Sequence, residues 1–320
     1  MIFKELEKNN KDIFSTNPKI ILGLSGGPDS IFLYEFLKEL HKKNKIKLIC
    51  AHFDHEWRRE SAKDSEFCKK LCMKDNIEFI QGRSSELNLS IKFNGSKEEI
   101  GRIMRHTFLK KILINKNANY IALAHHLKDQ QETFIWRIIR GTTLSGLTCM
   151  KEIDAPYIRP LLNMDKKEIL DYLDNNNIDY LTDHTNESDD YLRNRIRKYV
   201  IPAIEKCDDR FNKKFATTLN LLQEEEEFLK NITLTNFNNI FKLSSKNNKF
   251  IGDLKGFKSL DKILQKRILI LLFCKKNLKF NLSNNYLNEI LRFIKNTNGG
   301  SHQISTNFKI IKKQNNFWVE

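Results

Sequence analysis

The sequence predicts a doubly wound α/β domain built on a mainly parallel sheet, followed by a second, smaller and mostly helical domain. Three observations carry that expectation. Up to about residue 205, short aliphatic runs alternate with amphipathic ones, the texture of repeated βαβ units. The first aliphatic run breaks into Ser25-Gly26-Gly27-Pro28-Asp29-Ser30 before the first amphipathic run begins. Beyond Lys206 the alternation stops, and longer helical patterns replace it.

The strands expected, in order, are Ile20–Leu24, Lys47–Phe53, Glu78–Gln81, Tyr120–Ala124 and Tyr157–Arg159, short apolar runs suited to a buried sheet. Between them, Ile31–Lys43, Ser61–Asp75, Lys97–Asn115, Gln130–Arg140 and Lys166–Asn176 carry apolar residues at helical spacing. In such a sheet, ligands bind beyond the carboxyl ends of the strands. The first domain is expected at 1–205 and the second at 206–320. The second begins with the helical pattern Phe211–Lys230, whose Glu224–Glu227 run reads as a solvated face. Ser259–Phe273 and Asn284–Asn296 read as two further helices. The Asn- and Lys-rich Leu243–Lys249 reads as a loop, and Ser301–Ile311 with Phe317–Val319 as a closing hairpin.

At 320 residues the chain has room for one large domain or two ordinary ones. Its first residues, MIFKELEKNNKD, lack a basic-then-apolar leader, and no uncharged apolar run reaches the roughly 18 residues a membrane span needs. A cytoplasmic protein with no membrane partner is expected. Lys and Arg outnumber Asp and Glu by 55 to 40, a formal charge of +15. A lysine-rich proteome explains that blandly; a polyanionic partner, nucleic acid first, explains it more sharply. None of the six cysteines forms a C-x-x-C pair, so reduced thiols are expected, and Cys68 and Cys72, one helical turn apart, are expected as buried thiols in preference to a metal site.

A buried strand that ends in Ser-Gly-Gly and restarts as a helix makes an anion site. The glycines let the backbone approach closely, the first free amides of the helix point outward, and the helix dipole adds positive potential. Pro28 suits the first turn because it wastes no donor there, and Ser25 and Ser30 add hydroxyls. No lysine follows Gly27 and no G-x-G-x-x-G is present, which excludes the Walker A and dinucleotide loops. Asp29 would repel a phosphate unless Mg²⁺ came with it, since a carboxylate holds that metal or its waters.

The loop SGGPDS, residues 25–30, resembles the pyrophosphate loop of the ATP-pyrophosphatases, which adenylate a substrate and release pyrophosphate. Four further stretches resemble one branch of them, the tRNA(Ile)-lysidine synthetases. AHFDHEWRRESAKDSEFCKKLC, residues 51–72, stands where that branch has an Asn-His-Gly-Leu-Arg core. Here the core is Asp54-His55-Glu56-Trp57-Arg58, at a strand's carboxyl end that suits contact with adenosine. In SKEEIGRIMRHTF, residues 96–108, Arg102 and Arg105 share a helix face. The resemblance implies Arg105 as a ligand for phosphates or the transition state, with His106 where the branch has Tyr. ALAHHLKDQQET, residues 122–133, and RGTTLSGL, residues 140–147, match the branch most specifically. They set His125 and His126 at a strand end, with Asp129 and Glu132 on one face of the helix that follows. IRPLL, residues 158–162, and DHTNESDDYLRNRIR, residues 183–197, complete the match. By residue type alone, Asp129 and Glu132 would also suit a surface pair, and Arg193, Arg195 and Arg197 a solvated helix start.

The resemblance implies a reaction in two halves, in which a wobble cytidine is adenylated and free lysine then displaces AMP. It implies ATP and Mg²⁺ at Ser25, Gly26, Gly27, Pro28, Asp29 and Ser30, with Asp29 serving the metal. Asp129 and Glu132 are candidates for receiving the amine's proton, and Asp129 also for holding Mg²⁺; His125 is a second candidate base. Arg193, Arg195 and Arg197 are expected on the tRNA, an isoleucine tRNA with a CAU anticodon. Beyond residue 205 the likeness is to the shorter members, which lack an extra C-terminal domain, and the second domain is expected to touch tRNA; a homodimer stays open. Two rivals remain: a PP-loop tRNA thiolase, which would want paired nucleophilic cysteines, and a nonenzymatic RNA-binding protein with a relic ATP loop.

Overall fold

The computed structural model describes residues 2–57, 60–87, 97–182, 189, 191–244, 249–278 and 283–320. Helices α1 (Ile2–Asn9) and α2 (Lys11–Phe14) lead into β1 (Lys19–Gly23) and α3 (Pro28–Lys42). Then come β2 (Lys47–Asp54), α4 (Ser61–Lys74), β3 (Glu78–Arg83) and α5 (Lys97–Asn115). β4 (Tyr120–Ala122), α6 (Leu127–Arg140), α7 (Leu144–Leu147), β5 (Ile153–Asp154), β6 (Tyr157–Ile158) and α8 (Lys166–Asn175) follow. After them run α9 (Leu192–Arg195), a π-helical turn at Ile196–Val200, α10 (Ile201–Cys207) and the long α11 (Phe211–Ile240).

The first sheet has the order β3-β2-β1-β4-β6-β5. Every neighbouring pair is parallel except β5 with β6. Along β1 the side chains alternate between two cores, as strand geometry requires. Ile20 and Leu22 pack with Phe32, Phe36, Ile169 and Leu173 on one face. Ile21 packs with Phe53, Leu109, Ile112 and Ile121 on the other. Each fully buried Leu, Ile or Phe contributes about 1.5–3 kcal/mol, and helices cover both faces because both faces are apolar. The order also reverses at β1: the chain builds outward to β2 and β3, then returns to place β4 on β1's other side. That reversal opens a crevice beyond the carboxyl ends of β1 and β4. The two-residue β5 has no pattern to read and was not among the expected strands.

The chain divides into two compact units, Met1–Leu222 and Gln223–Glu320, and the division falls inside α11. In the second unit, β7 (Phe241–Ser244), β8 (Lys249–Asp253), α12 (Leu254–Lys258), α13 (Lys262–Lys275) and α14 (Asn284–Lys295) follow α11. β9 (Gly300–Ser305), β10 (Phe308–Lys313) and β11 (Asn316–Val319) close it. These strands form one antiparallel sheet in the order β7-β8-β11-β10-β9, so the expected terminal hairpin is part of something larger. The Asn- and Lys-rich segment expected as a loop supplies ends of β7 and β8, and residues 245–248 within it lie outside the described residues. Phe237, Phe257, Leu269, Leu272, Ile290 and Phe317 make this unit's core. The acidic run on α11 is not wholly solvated: Glu226 is buried, and both its oxygens accept from Arg267, at 2.9 and 2.5 Å. No described helix is long and apolar enough to cross a membrane.

Candidate active site

The crevice beyond β1 and β4 is a cleft of about 730 Å³, within the range of small-molecule sites. Ser25, Gly27, Asp29, Ser30, Arg105, His125, Asp129, Arg193 and Arg197 line it. Gly26, Pro28, Glu132 and Arg195 lie outside its wall. Two turns build the centre, one after each strand.

After β1, the loop is shaped by Ser30. Its hydroxyl accepts the amides of Ser25 at 3.2 Å and Gly26 at 3.1 Å, and donates to the Gly27 carbonyl at 2.9 Å. Its proton is directed inside the loop, so Ser30 organises the cradle. Gly26 adopts φ +88°, and a Cβ there would come 2.6 Å from Leu181 Cδ1; only glycine fits both demands. Gly27 is the extended N-cap of α3 and Pro28 its first residue, leaving the amides of Asp29 and Ser30 to face an anion at the dipole's positive end.

After β4, His126 caps α6 in a reciprocal box with Asp129. The Lys128 amide donates to His126 Nδ1 at 3.2 Å, and the His126 amide donates to Asp129 Oδ2 at 2.9 Å. Since Nδ1 is an acceptor, the ring proton belongs on Nε2. That nitrogen stands 3.6 Å from Asp29 Oδ2 and 3.7 Å from Asp129 Oδ2. His126 thus joins the two turns, bringing the two carboxylates to one imidazole. Asp29 Oδ1 accepts from Lys166, the first residue of α8. Burial alone would raise the Asp29 pKa; His126, then Lys166, more than offset it and hold the carboxyl below its ordinary range.

Glu132 is buried to 1% exposure and does not face the cleft. Arg193 Nε donates to its Oε2 at 2.9 Å, while Arg197 gives Nε to Oε1 at 2.5 Å and Nη2 to Oε2 at 3.0 Å. With both oxygens taken by guanidinium groups, Glu132 is a holder of arginines and not an open carboxylate. The expectation had it meeting the amine; here its oxygens meet the two arginines. It also divides the arginine set: Arg193 and Arg197 enter the cleft wall, whereas Arg195 Nη1 donates to the Asp189 carbonyl at 2.8 Å. Residues 183–188 of that stretch, like Arg58 and Ser96, lie outside the described residues.

The far wall is basic and aromatic. Burial first, and then the charge of Arg105, pushes His55 down to about 4. Burial likewise pushes His125 down to about 4, with Arg159, Arg105 and Arg193 adding to it against the pull of Asp129. Both rings are therefore neutral at pH 7. His125 lines the cleft with its Nδ1 buried and without a hydrogen bond to any described residue, which suits it to accept from a substrate. Glu56 sits at φ +55°, a conformation glycine adopts freely. It is held there by Ser84 Oγ and the Ser85 amide, both at 2.7 Å. His55 stacks on Trp57 at 4.5 Å. Reading the sequence alone missed Lys166 and the joining role of His126. The box signal His-x-x-Asp was available for the latter, whereas nothing local marks Lys166.

The donor chemistry suits Mg²⁺. Among the described residues no three or more His, Cys, Asp or Glu gather as a cage. Two carboxylates beside a phosphate cradle are what this ion takes, because it keeps waters and borrows phosphate oxygens. Asp29 and Asp129 are the residues that would hold it.

A model of the PP-loop domain matches residues 2–204. A tRNA(Ile)-lysidine synthase of Bacillus cereus is 30% identical over 311 residues, which are 94% of this chain and 65% of that protein. The chain therefore spans less than two thirds of that relative's length. A tRNA(Ile)-lysidine synthase of Petrotoga mobilis is 34% identical over 236 residues, 72% of this chain and 76% of that protein. Among solved structures, the U34-tRNA thiolase NcsA from Methanococcus maripaludis is similar with a TM-score of 0.59 at 19% identity. That match covers 69% of this chain and 78% of the thiolase, a likeness of fold.

Proposed function

The chain belongs to the PP-loop family and, within it, to the tRNA(Ile)-lysidine synthases; from that premise we propose that it adenylates a wobble cytidine and joins free lysine to it. The substrates are ATP, L-lysine and an isoleucine tRNA with a CAU anticodon. One observation carries the reading. The Ser-Gly-Gly loop with Asp29, and the His126–Asp129 box, come from opposite sides of the strand-order reversal into a single cleft walled by Arg193 and Arg197.

In the first half, O2 of the cytidine bonds to the α-phosphorus while the bond to the bridging oxygen breaks and pyrophosphate leaves. The amides of Asp29 and Ser30, left open at the start of α3, receive the leaving group. Mg²⁺, held by Asp29 and Asp129, would neutralise its charge. Arg193 and Arg197, held by Glu132, supply fixed positive charge where negative charge develops. In the second half, the lysine ε-nitrogen bonds to C2 and the C2–O bond breaks, so that AMP departs with the oxygen. With a pKa near 10.4, only about 0.04% of that amine is neutral at pH 7, so an acceptor must take its proton. Asp129 faces the cleft and suits that role, with the neutral His125 as a second acceptor. Arg195, bonded to Asp189 instead of Glu132, is the remaining member of the set for a tRNA contact. The thiolase rival lacks support at the cleft: among the described residues no cysteine lines it, and burial pushes the Cys68 thiol up to about 12.

The test is a single-turnover reaction with α-labelled ATP and tRNA, without lysine. An adenylated tRNA should accumulate, and Asp29→Asn should abolish it. Hydrolysis of ATP with no label on tRNA would overturn the proposal.

A further inference from the structure

The loop SGGPDS contains no lysine, yet a lysine reaches it from another part of the chain. Lys166 opens α8, 137 residues after Asp29, and its ammonium meets Asp29 Oδ1. The side chains are about one quarter exposed, 24% and 29%, so the pair is neither freely solvated nor sealed. Its backbone is pinned from two sides. The N-cap Asp165 accepts the Lys167 amide at 2.9 Å through Oδ1 and Asn212 Nδ2 at 2.7 Å through Oδ2. Asn212 in turn accepts from Gln131 of α6 at 2.8 Å. Lys166 is absent from the cleft wall, so it meets Asp29 from outside the cleft.

We propose that Lys166 is the resident counter-charge of the phosphate loop, a positioning residue that holds Asp29 by one oxygen and compensates its charge when no metal is present. Without it, a bare carboxylate would face the nucleotide's polyphosphate, and two more oxygens of like sign stand close by on Asp129. By holding Oδ1, Lys166 also turns Oδ2 toward His126 and Asp129, where the cleft opens. The loop thus tolerates a nucleotide before its metal arrives. This rests on the proposed ATP reading of the cleft.

The charge role gives a sign that a packing role does not. Binding of ATP is measured by calorimetry with excess Mg²⁺ and again in EDTA, for wild type, Lys166→Met and Lys166→Arg. Removing one compensating charge should weaken metal-free ATP binding about fivefold or more, a typical coupling between charged sites. In excess Mg²⁺ the loss should stay within about twofold, because the metal supplies the missing charge. Lys166→Arg should match wild type in both conditions. Equal losses with and without Mg²⁺, or no loss in either, would overturn the proposal. Should the methionine variant not fold, Lys166→Gln is read the same way. Wild-type protein that binds no ATP in either condition would instead overturn the ATP reading beneath it.

Discussion

Glu132→Gln tests the clamp that sets two arginines into the cleft wall. The substitution keeps size and removes one negative charge from a side chain 1% exposed. One amide oxygen can still accept, but the amide nitrogen must face a guanidinium donor, and two cations are left with no charge between them. Removing one partner of a sealed pair costs about 3–5 kcal/mol. Here the arginine side chains are 34% and 45% exposed, so water screens them and the expected cost falls to about 1–3 kcal/mol. At about 2 kcal/mol, a unit of this size should lose about 4–8 °C in Tm. Urea unfolding of Glu132→Gln, Arg197→Gln and the double variant gives the coupling, expected at about 1–3 kcal/mol. Because both arginines line the cleft, adenylation and lysine transfer should fall together. A cost below about 0.5 kcal/mol, with coupling near zero, would refute the clamp.

Gly26→Ala should cost about 1–2 kcal/mol for a side chain at φ +88° and weaken ATP binding in calorimetry, since Leu181 must move to admit the Cβ. Glu56→Ala should destabilise more than Glu56→Gly by about 1 kcal/mol in urea melts, because both lose the Ser84 and Ser85 bonds while only alanine keeps the left-handed strain. Stability should hold above pH 7 and fall as pH drops from 6.5 toward 4. Over that window the unfolded chain takes up protons at His55, His106 and His125, whose folded values lie near 4; chemical denaturation at several pH values checks it. Affinity for tRNA should fall steeply from low to moderate salt, and a flat filter-binding profile would remove the polyanion that the +15 charge suggests.

The first sheet was legible because its signals are local. Lys47–Phe53 is apolar enough to be a buried parallel strand, and β2 is buried from Leu48 to Asp54; the Gly-Gly turn announced its own site. What local pattern could not reveal was how side chains pair across the fold. Glu132 carries the same residue type whether it faces a substrate or two arginines, and only the packing of α6 against α9 and the π-helical turn decides. Asp29 and Lys166 meet because α8 packs on α3 through contacts such as Phe32 with Tyr172 at 5.1 Å, which no spacing encodes. In the second unit, β7 and β8 flank an Asn- and Lys-rich stretch whose polarity hides the sheet. Glu226 reads as one acid in a run of four until Arg267 arrives from α13.

The most direct measurement is incorporation of labelled lysine. The full chain is incubated with ATP, Mg²⁺, labelled L-lysine and an isoleucine tRNA transcript carrying CAU. Lysine should enter the tRNA at the wobble cytidine, with one AMP and one pyrophosphate formed for each, and a transcript with uridine at that position should take up none. Pyrophosphate released from the CAU transcript while the RNA stays free of lysine would contradict the account.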